Sequence, residues 1–242
     1  MKLGTLYGIG IGPGDPELIT VKGARLLKTC KHIFAPKART ASDSLALTIA
    51  RRYIGPAARV YEIVFPMTAD AEELQRCWTE SARQVAATLK SQLDACFLTL
   101  GDPFLYSTYI YLLRALRQQL PDVKIVTVPG VNAFSAAAAL AEFPVGEGND
   151  PITIIPAGAD LETARSALRR NGTVVLMKIG KRLPKILKLL EAANVLDRSV
   201  LVARAGLDGQ RIETNLRKLK TEKTEIEYFA VILARTDGEY RV

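Results

Sequence analysis

The sequence predicts two α/β domains, the first built on a mostly parallel sheet and the second on a mixed one. Three observations predict this. Short apolar runs alternate with amphipathic stretches along the chain, the pattern of a sheet covered by helices. The 242 residues, 48% of them apolar, suffice for two modest cores. The rhythm of the runs changes after Pro121–Asp122, which gives domains of 1–121 and 122–242, although the strand at Lys124–Val128 could be counted with either half.

In the first half, Lys2–Ile9 reads as a strand. A helix over Pro16–Cys30 follows, with Asp15 as its cap and Pro16 in the first helical position. Strands at His32–Ala35 and Val60–Phe65 flank a helix at Ser44–Arg52. The long helix Asp70–Leu93 carries Leu74, Trp78, Val85 and Leu89 on one face. A buried strand at Ala95–Leu100, a helix at Tyr106–Gln119 and the strand Lys124–Val128 close the first sheet. The second half starts with an alanine-rich helix at Asn132–Ala141 and a Gly/Pro/Asn loop. Strands at Ile152–Pro156, Thr173–Lys178 and Ser199–Arg204 are separated by helices at Leu161–Arg170 and Leu183–Ala193. The β-branched and aromatic run Tyr228–Arg235 ends a sheet with antiparallel content. Lys218–Lys223 reads as a polar turn.

Composition narrows the function. No apolar run approaches the ~18 residues of a membrane span. The N-terminal apolar stretch is short and breaks into a Gly/Pro loop, unlike a signal peptide. A cytoplasmic protein with no membrane partner is expected. Cys30, Cys77 and Cys96 show no metal-clip spacing and read as buried small hydrophobes. With His32 the one histidine, a zinc site or a Ser-His-Asp triad has no material, and no metal site is expected. The net charge of +8 suits a polyanionic ligand. The positive charges are scattered without interleaved aromatics, so a nucleic-acid partner is not expected.

Ligands in open α/β sheets bind at the carboxyl ends of strands, and four such ends carry unusual sequence. The first, Gly8–Pro16, lacks the third glycine of a dinucleotide fingerprint and the Gly-Lys-Ser/Thr of a P-loop. Its run of Gly and Pro still suits a ligand-facing turn. The second, Gly101-Asp102-Pro103-Phe104-Leu105-Tyr106-Ser107-Thr108, brings an acid and two hydroxyls to the sheet edge. Asp102 lies too far ahead of the helix to be its ordinary cap. The third, Val128–Asn132, leads into the small residues Ser135 and Ala136. Close packing or a ligand would explain them equally. The fourth is a pair of loops, Met177-Lys178-Ile179-Gly180-Lys181 and Ala203–Gly209, in which Lys178 and Arg204 stand at strand ends.

In this order and spacing the loops resemble the tetrapyrrole (corrin/porphyrin) methyltransferase family from Leu6 to about Arg235, on the paired signatures GxGxGPGDPELIT and GDPFLYS. The resemblance implies two α/β domains of that family's type. It also implies S-adenosylmethionine bound in the cleft between them, S-adenosylhomocysteine as product, and a homodimer. Members acting on uroporphyrinogen III read GDPFxFGRGGEE with a YDRL-like segment. This chain has GDPFLYSTYIYLL and APKAR, similar to the branch that methylates carbon 20 of precorrin-2 or its cobalt complex. Any cobalt would travel with the macrocycle, and the sequence leaves its presence open.

Residue by residue, the resemblance puts Gly101, Asp102, Phe104 and Leu105 on the methionine part of the cofactor, with Ser107 and Thr108 close by. Ser135 and Ala136 lie near the cofactor, Met177 packs on the adenine, and Ala205, Leu233 and Ala234 close that pocket. Pro13 lies near the point of methyl transfer, and Gly10, Gly12 and Pro13 face the tetrapyrrole. Tyr106, Lys37, Arg39, Lys178 and Arg204 are expected on the substrate, the four cations as contacts to its carboxylates. Asp102 is expected to assist loss of the carbon-20 proton, as base or as electrostatic partner. Other acceptors within the superfamily, a protein or ribosomal RNA, stand as the alternative, and a non-catalytic basic binding module as a third reading.

Overall fold

In the computed structural model of the chain, residues 2–39, 43–66, 68, 70–158, 160–220 and 229–237 are described. The chain divides into two compact units, Met1–Asn132 and Ala133–Val242.

The first unit holds five strands: β1 (Thr5–Gly10), β2 (His32–Ala38), β3 (Arg59–Phe65), β4 (Ala95–Thr99) and β5 (Lys124–Val128). They form one parallel sheet in the order β3-β2-β4-β1-β5. β5 pairs with β1 from Thr5↔Lys124 to Ile9↔Val128. That pairing ties β5 to the first sheet, so the division falls after Asn132 and not near Pro121–Asp122. One face of the sheet, with Leu6, Phe34 and Phe97, packs on α3 (Ala71–Lys90) and α4 (Tyr109–Gln119) through Val85, Leu89, Tyr109, Leu112 and Leu116. α1 (Val21–Thr29) and α2 (Leu45–Ala50) lie against β1 and against β2 and β4 respectively.

The helix starts follow from side-chain caps. Ser44 accepts from Leu47 N, and Asp70 from Glu72 and Glu73 N. The single helix expected over Pro16–Cys30 is split. Asp15 accepts from Glu17 N and starts only a 3₁₀ turn, Pro16–Leu18. Ile19 and Thr20 are extended, and Thr20 caps α1 by accepting from Gly23 N. Two capping side chains five residues apart cannot both begin one helix, and the second captures it.

The second unit contains α5 (Ala133–Leu140), β6 (Ile152–Pro156), α6 (Leu161–Leu168), β7 (Thr173–Met177), α7 (Leu183–Ala192), β8 (Ser199–Ala203), β9 (Arg211–Glu213) and β10 (Ala230–Arg235). Its sheet runs β6-β7-β10-β8-β9 and is mixed: β6 and β7 are parallel, while β10 and β9 pair antiparallel. Ala230, Ile232 and Ala234 face the core made with α6 and α7. The final strand begins at Ala230, and Tyr228, its expected start, lies outside the described residues, as do 221–223 of the expected polar turn. Among the described residues no helix is long and apolar enough to cross a membrane.

Candidate functional site

β4, β1 and β5 are neighbours, so the loops leaving their carboxyl ends meet. Three glycines make that meeting possible. A Cβ on Gly10 would lie 2.5 Å from Gly130 N and 2.8 Å from Gly101 O. A Cβ on Gly130 would lie 2.2 Å from Gly101 O. The main chains therefore touch directly, as only glycine allows. Hydrogen bonds stitch them further: Ile11 N donates to Thr99 O at 3.0 Å and Gly101 N to Gly12 O at 2.8 Å. Gly12 and Gly101 both take positive φ, +80° and +69°. Gly10, Gly12 and Pro13 are all buried within this seam.

The loop after β4 is ordered by its own polar groups. Asp102 Oδ1 accepts from Phe104 N at 2.8 Å, and Oδ2 accepts from Gly130 N at 3.1 Å. Ser107 is buried, and its Oγ accepts from Tyr109 N at 3.0 Å, so it starts α4. Thr108 occupies the cap position with no capping side-chain bond and is exposed. The helix consequently begins at Tyr109, three residues later than expected. Leu105 is half-buried, whereas Phe104 is 57% and Tyr106 37% exposed. Tyr109 meets the Phe104 ring edge-on at 5.8 Å and holds it. Burial pushes the Tyr106 and Tyr109 phenols up, and both stay neutral near pH 7.

Two buried polar atoms beside these loops have no protein partner among the described residues: Thr99 Oγ1, two residues before Gly101, and Asn132 Oδ1, two residues after Gly130. Thr99 is 4% exposed. Orphaned buried polar groups are rare and call for a ligand or water. Both fall in segments expected at the site, Leu98–Thr108 and Val128–Asn132, but neither was singled out as a contact. The available signal was a lone Thr ending the otherwise apolar run of β4.

Further out, Lys37 lies 3.3 Å from Glu62 and Arg39 lies 2.7 Å from Glu73. These two of the four expected substrate cations are therefore already paired. Such half-exposed pairs contribute little to stability and can exchange for other anions.

In the second unit, Lys178 and Arg204 follow β7 and β8 directly with φ of +60° and +53°. Tyr106, in the first unit, shares this backbone at +52°. Left-handed backbone at a non-glycine residue costs roughly 1–2 kcal/mol, and three of the six such residues among the described ones are expected site residues. The other three, Gln92, Glu142 and Asn194, follow helix ends, where this conformation is ordinary. Arg204 Nε donates to Asp208 O at 2.6 Å and Gly206 N to Gln210 Oε1 at 2.8 Å, which closes the loop around Ala205. Leu233 alternates with the core-facing residues of β10 and so faces away from α6 and α7. Ala234 does not join it. Successive strand residues point to opposite faces, and Ala234 belongs to the helix-side core. Met177 is buried, as is Ala136 of α5, while Ser135 is exposed.

Backbone stitched at strand ends, open space over Gly101 and orphaned polar atoms define a small-molecule site on an α/β scaffold. A Cβ on Gly101 would meet only Val131 O, at 3.9 Å. The sequence pattern described as Tetrapyrrole (Corrin/Porphyrin) Methylases matches residues 5–220, and the chain belongs to that family. It is 35% identical over 237 residues to the cobalt-precorrin-2 C(20)-methyltransferase of Salmonella typhimurium, covering 98% of each chain. It is 29% identical over 240 residues to the precorrin-2 C(20)-methyltransferase of a Sinorhizobium species, covering 96% of this chain and 95% of that one. The X-ray structure of a cobalt precorrin-4 methyltransferase matches with a TM-score of 0.72 at 24% identity, over 96% of this chain and 94% of that one, a likeness of fold.

Proposed function

We propose that this chain transfers the methyl group of S-adenosylmethionine to carbon 20 of precorrin-2 or cobalt-precorrin-2 during corrin synthesis. The observation that carries the reading is end-to-end likeness to relatives bearing that name. The residues present suit the cofactor. Open space over Gly101 leaves room for its methionine part beside Phe104 and Leu105. The unpartnered Asn132 Oδ1 is an acceptor suited to an ammonium group, and the Thr99 hydroxyl is suited to a carboxylate. In the second unit Met177, Leu233 and Ala205 are apolar and buried, side chains of the kind an adenine ring packs on.

Bound S-adenosylmethionine supplies an electrophilic methyl on a sulfonium, and the meso carbon of a reduced tetrapyrrole is already nucleophilic. The chain's task is then to bind and orient, which contributes up to roughly 7–11 kcal/mol in favourable cases. The exposed rings of Phe104 and Tyr106 offer flat apolar surface to a macrocycle. Lys37, Arg39, Lys178 and Arg204 can trade their present contacts for substrate carboxylates. The reading also makes the enzyme a cytoplasmic homodimer, for which light scattering should return the mass of two chains.

The test offers metal-free and cobalt precorrin-2 side by side with methyl-labelled cofactor, alongside protein and RNA acceptors. Label should appear in a tetrapyrrole heavier by one methyl, with none in protein or RNA. No affinity for S-adenosylhomocysteine in calorimetry would remove the cofactor. Affinity with no tetrapyrrole labelled would move the enzyme to another acceptor.

A further inference from the structure

We propose that Asp102 is the positioning residue of the site: its carboxylate pins the Gly101–Thr108 loop to the Pro129–Gly130 turn and does not receive the substrate proton. The proposal rests on the methyltransferase reading for its kinetic consequence and on geometry for the clamp itself. Each carboxylate oxygen already accepts one backbone N–H. Oδ1 takes Phe104 N at 2.8 Å within its own loop, and Oδ2 takes Gly130 N at 3.1 Å from a turn 28 residues away. The second contact bridges the loops after β4 and β5. It does so where the main chains of Gly10, Gly101 and Gly130 touch.

Both carboxylate oxygens are engaged before any ligand binds. A carboxylate accepting two backbone N–H groups makes stronger bonds than a carboxylic acid would. Receiving a proton would weaken both bonds and slacken the seam at the moment the methyl is transferred. Turning toward a substrate would break at least one of them. A fixed anion instead holds the loop before the ligand arrives, and a site already in place gives up less ordering on binding. Exposed Phe104, whose N–H is one of the two donors, is then presented at a set height over the loop.

The clamp and the base differ in what three variants do. In Asp102→Asn one oxygen becomes an NH₂ that faces a backbone N–H, so one bond is lost. In Asp102→Glu the charge and any base survive, but the extra methylene cannot hold the same two donors. Asp102→Ser keeps a short acceptor for Phe104 N only. Amide exchange on the ligand-free protein should show Phe104 and Gly130 protected in the wild type. The Gly130 amide should exchange about tenfold faster in all three variants. In steady state the three should raise KM for S-adenosylmethionine and Kd for S-adenosylhomocysteine about tenfold. kcat at saturating cofactor and the shape of its pH profile should be retained. Unchanged exchange at Gly130 would overturn the clamp. So would a kcat that collapses in Asp102→Asn with cofactor affinity intact and the acid limb of the profile gone, while Asp102→Glu recovers it. If the wild type itself fails to bind S-adenosylhomocysteine, the methyltransferase reading falls, and the exchange rates still decide the clamp.

Discussion

At the scale of single residues, the glycines of the site are present for two different physical reasons, and substitution separates them. Gly130 is needed for space: a Cβ there would sit 2.2 Å from Gly101 O and 2.8 Å from the Gly10 main chain, and neither backbone can yield. Gly130→Ala should cost about 1–3 kcal/mol through forced displacement, read as a lower melting temperature in the absence of any ligand. Gly101 is needed for conformation: its φ is +69°, yet a Cβ would meet only Val131 O at 3.9 Å. Gly101→Ala should cost roughly 1 kcal/mol of backbone strain and place a methyl in the open space assigned to the cofactor. Its affinity for S-adenosylhomocysteine should fall more than its stability, the reverse of Gly130→Ala. Equal effects of the two in both measurements would remove the distinction. The glycine punctuation was legible in the sequence because no other residue serves these turns. The positive φ of Tyr106, Lys178 and Arg204 was not, because nothing local in a Tyr, Lys or Arg announces it.

At the scale of elements, the apolar face of α4 packs on the sheet, and one pairing crosses that contact. Tyr109 is fully buried, its ring lies where a Cβ on Gly8 would be, 2.2 Å from Cζ, and its hydroxyl reaches Thr127 Oγ1 at 2.8 Å. One residue thereby ties α4 to β1 and β5 while its other edge supports Phe104. Tyr109→Phe keeps the packing and loses the hydrogen bond, an expected cost of about 1 kcal/mol by chemical denaturation. Gly8→Ala should destabilise more. Combining it with Tyr109→Leu, which vacates the ring position, should recover part of the loss, a coupling of about 0.5–3 kcal/mol. Strict additivity would mean that the two residues do not meet. Most elements were legible because buried strands such as β4 and amphipathic helices such as α3 carry their periods openly. Two were not. The break at Ile19–Thr20 depended on which of two caps would win, and β9 is a three-residue edge strand that only its pairing with β8 defines.

At the scale of the whole molecule, the excess of 33 basic over 25 acidic residues suits a polyanionic ligand. The sequence pointed to Lys37 and Arg39 as substrate contacts, but their partners Glu62 and Glu73 lie 25 and 34 residues away, and the pairing needed the fold. Paired cations at a strand-end rim still leave a net positive field, because the excess charge of the chain is not cancelled by them. A polycarboxylate tetrapyrrole should therefore be drawn in by long-range attraction that salt screens, since the Debye length shortens from about 10 Å at 0.1 M to about 3 Å at 1 M. Raising sodium chloride from 50 to 500 mM should increase KM for the tetrapyrrole by roughly fivefold or more and leave kcat nearly constant. Affinity for S-adenosylhomocysteine, which carries no net charge at neutral pH, should hardly move over the same range. A flat tetrapyrrole KM would mean that the basic excess is surface charge without a part in substrate capture. A parallel loss of S-adenosylhomocysteine affinity would place the salt effect in the scaffold and not in the encounter. The contrast between the two ligands is what makes the charge of the chain, and not its fold, the quantity under test.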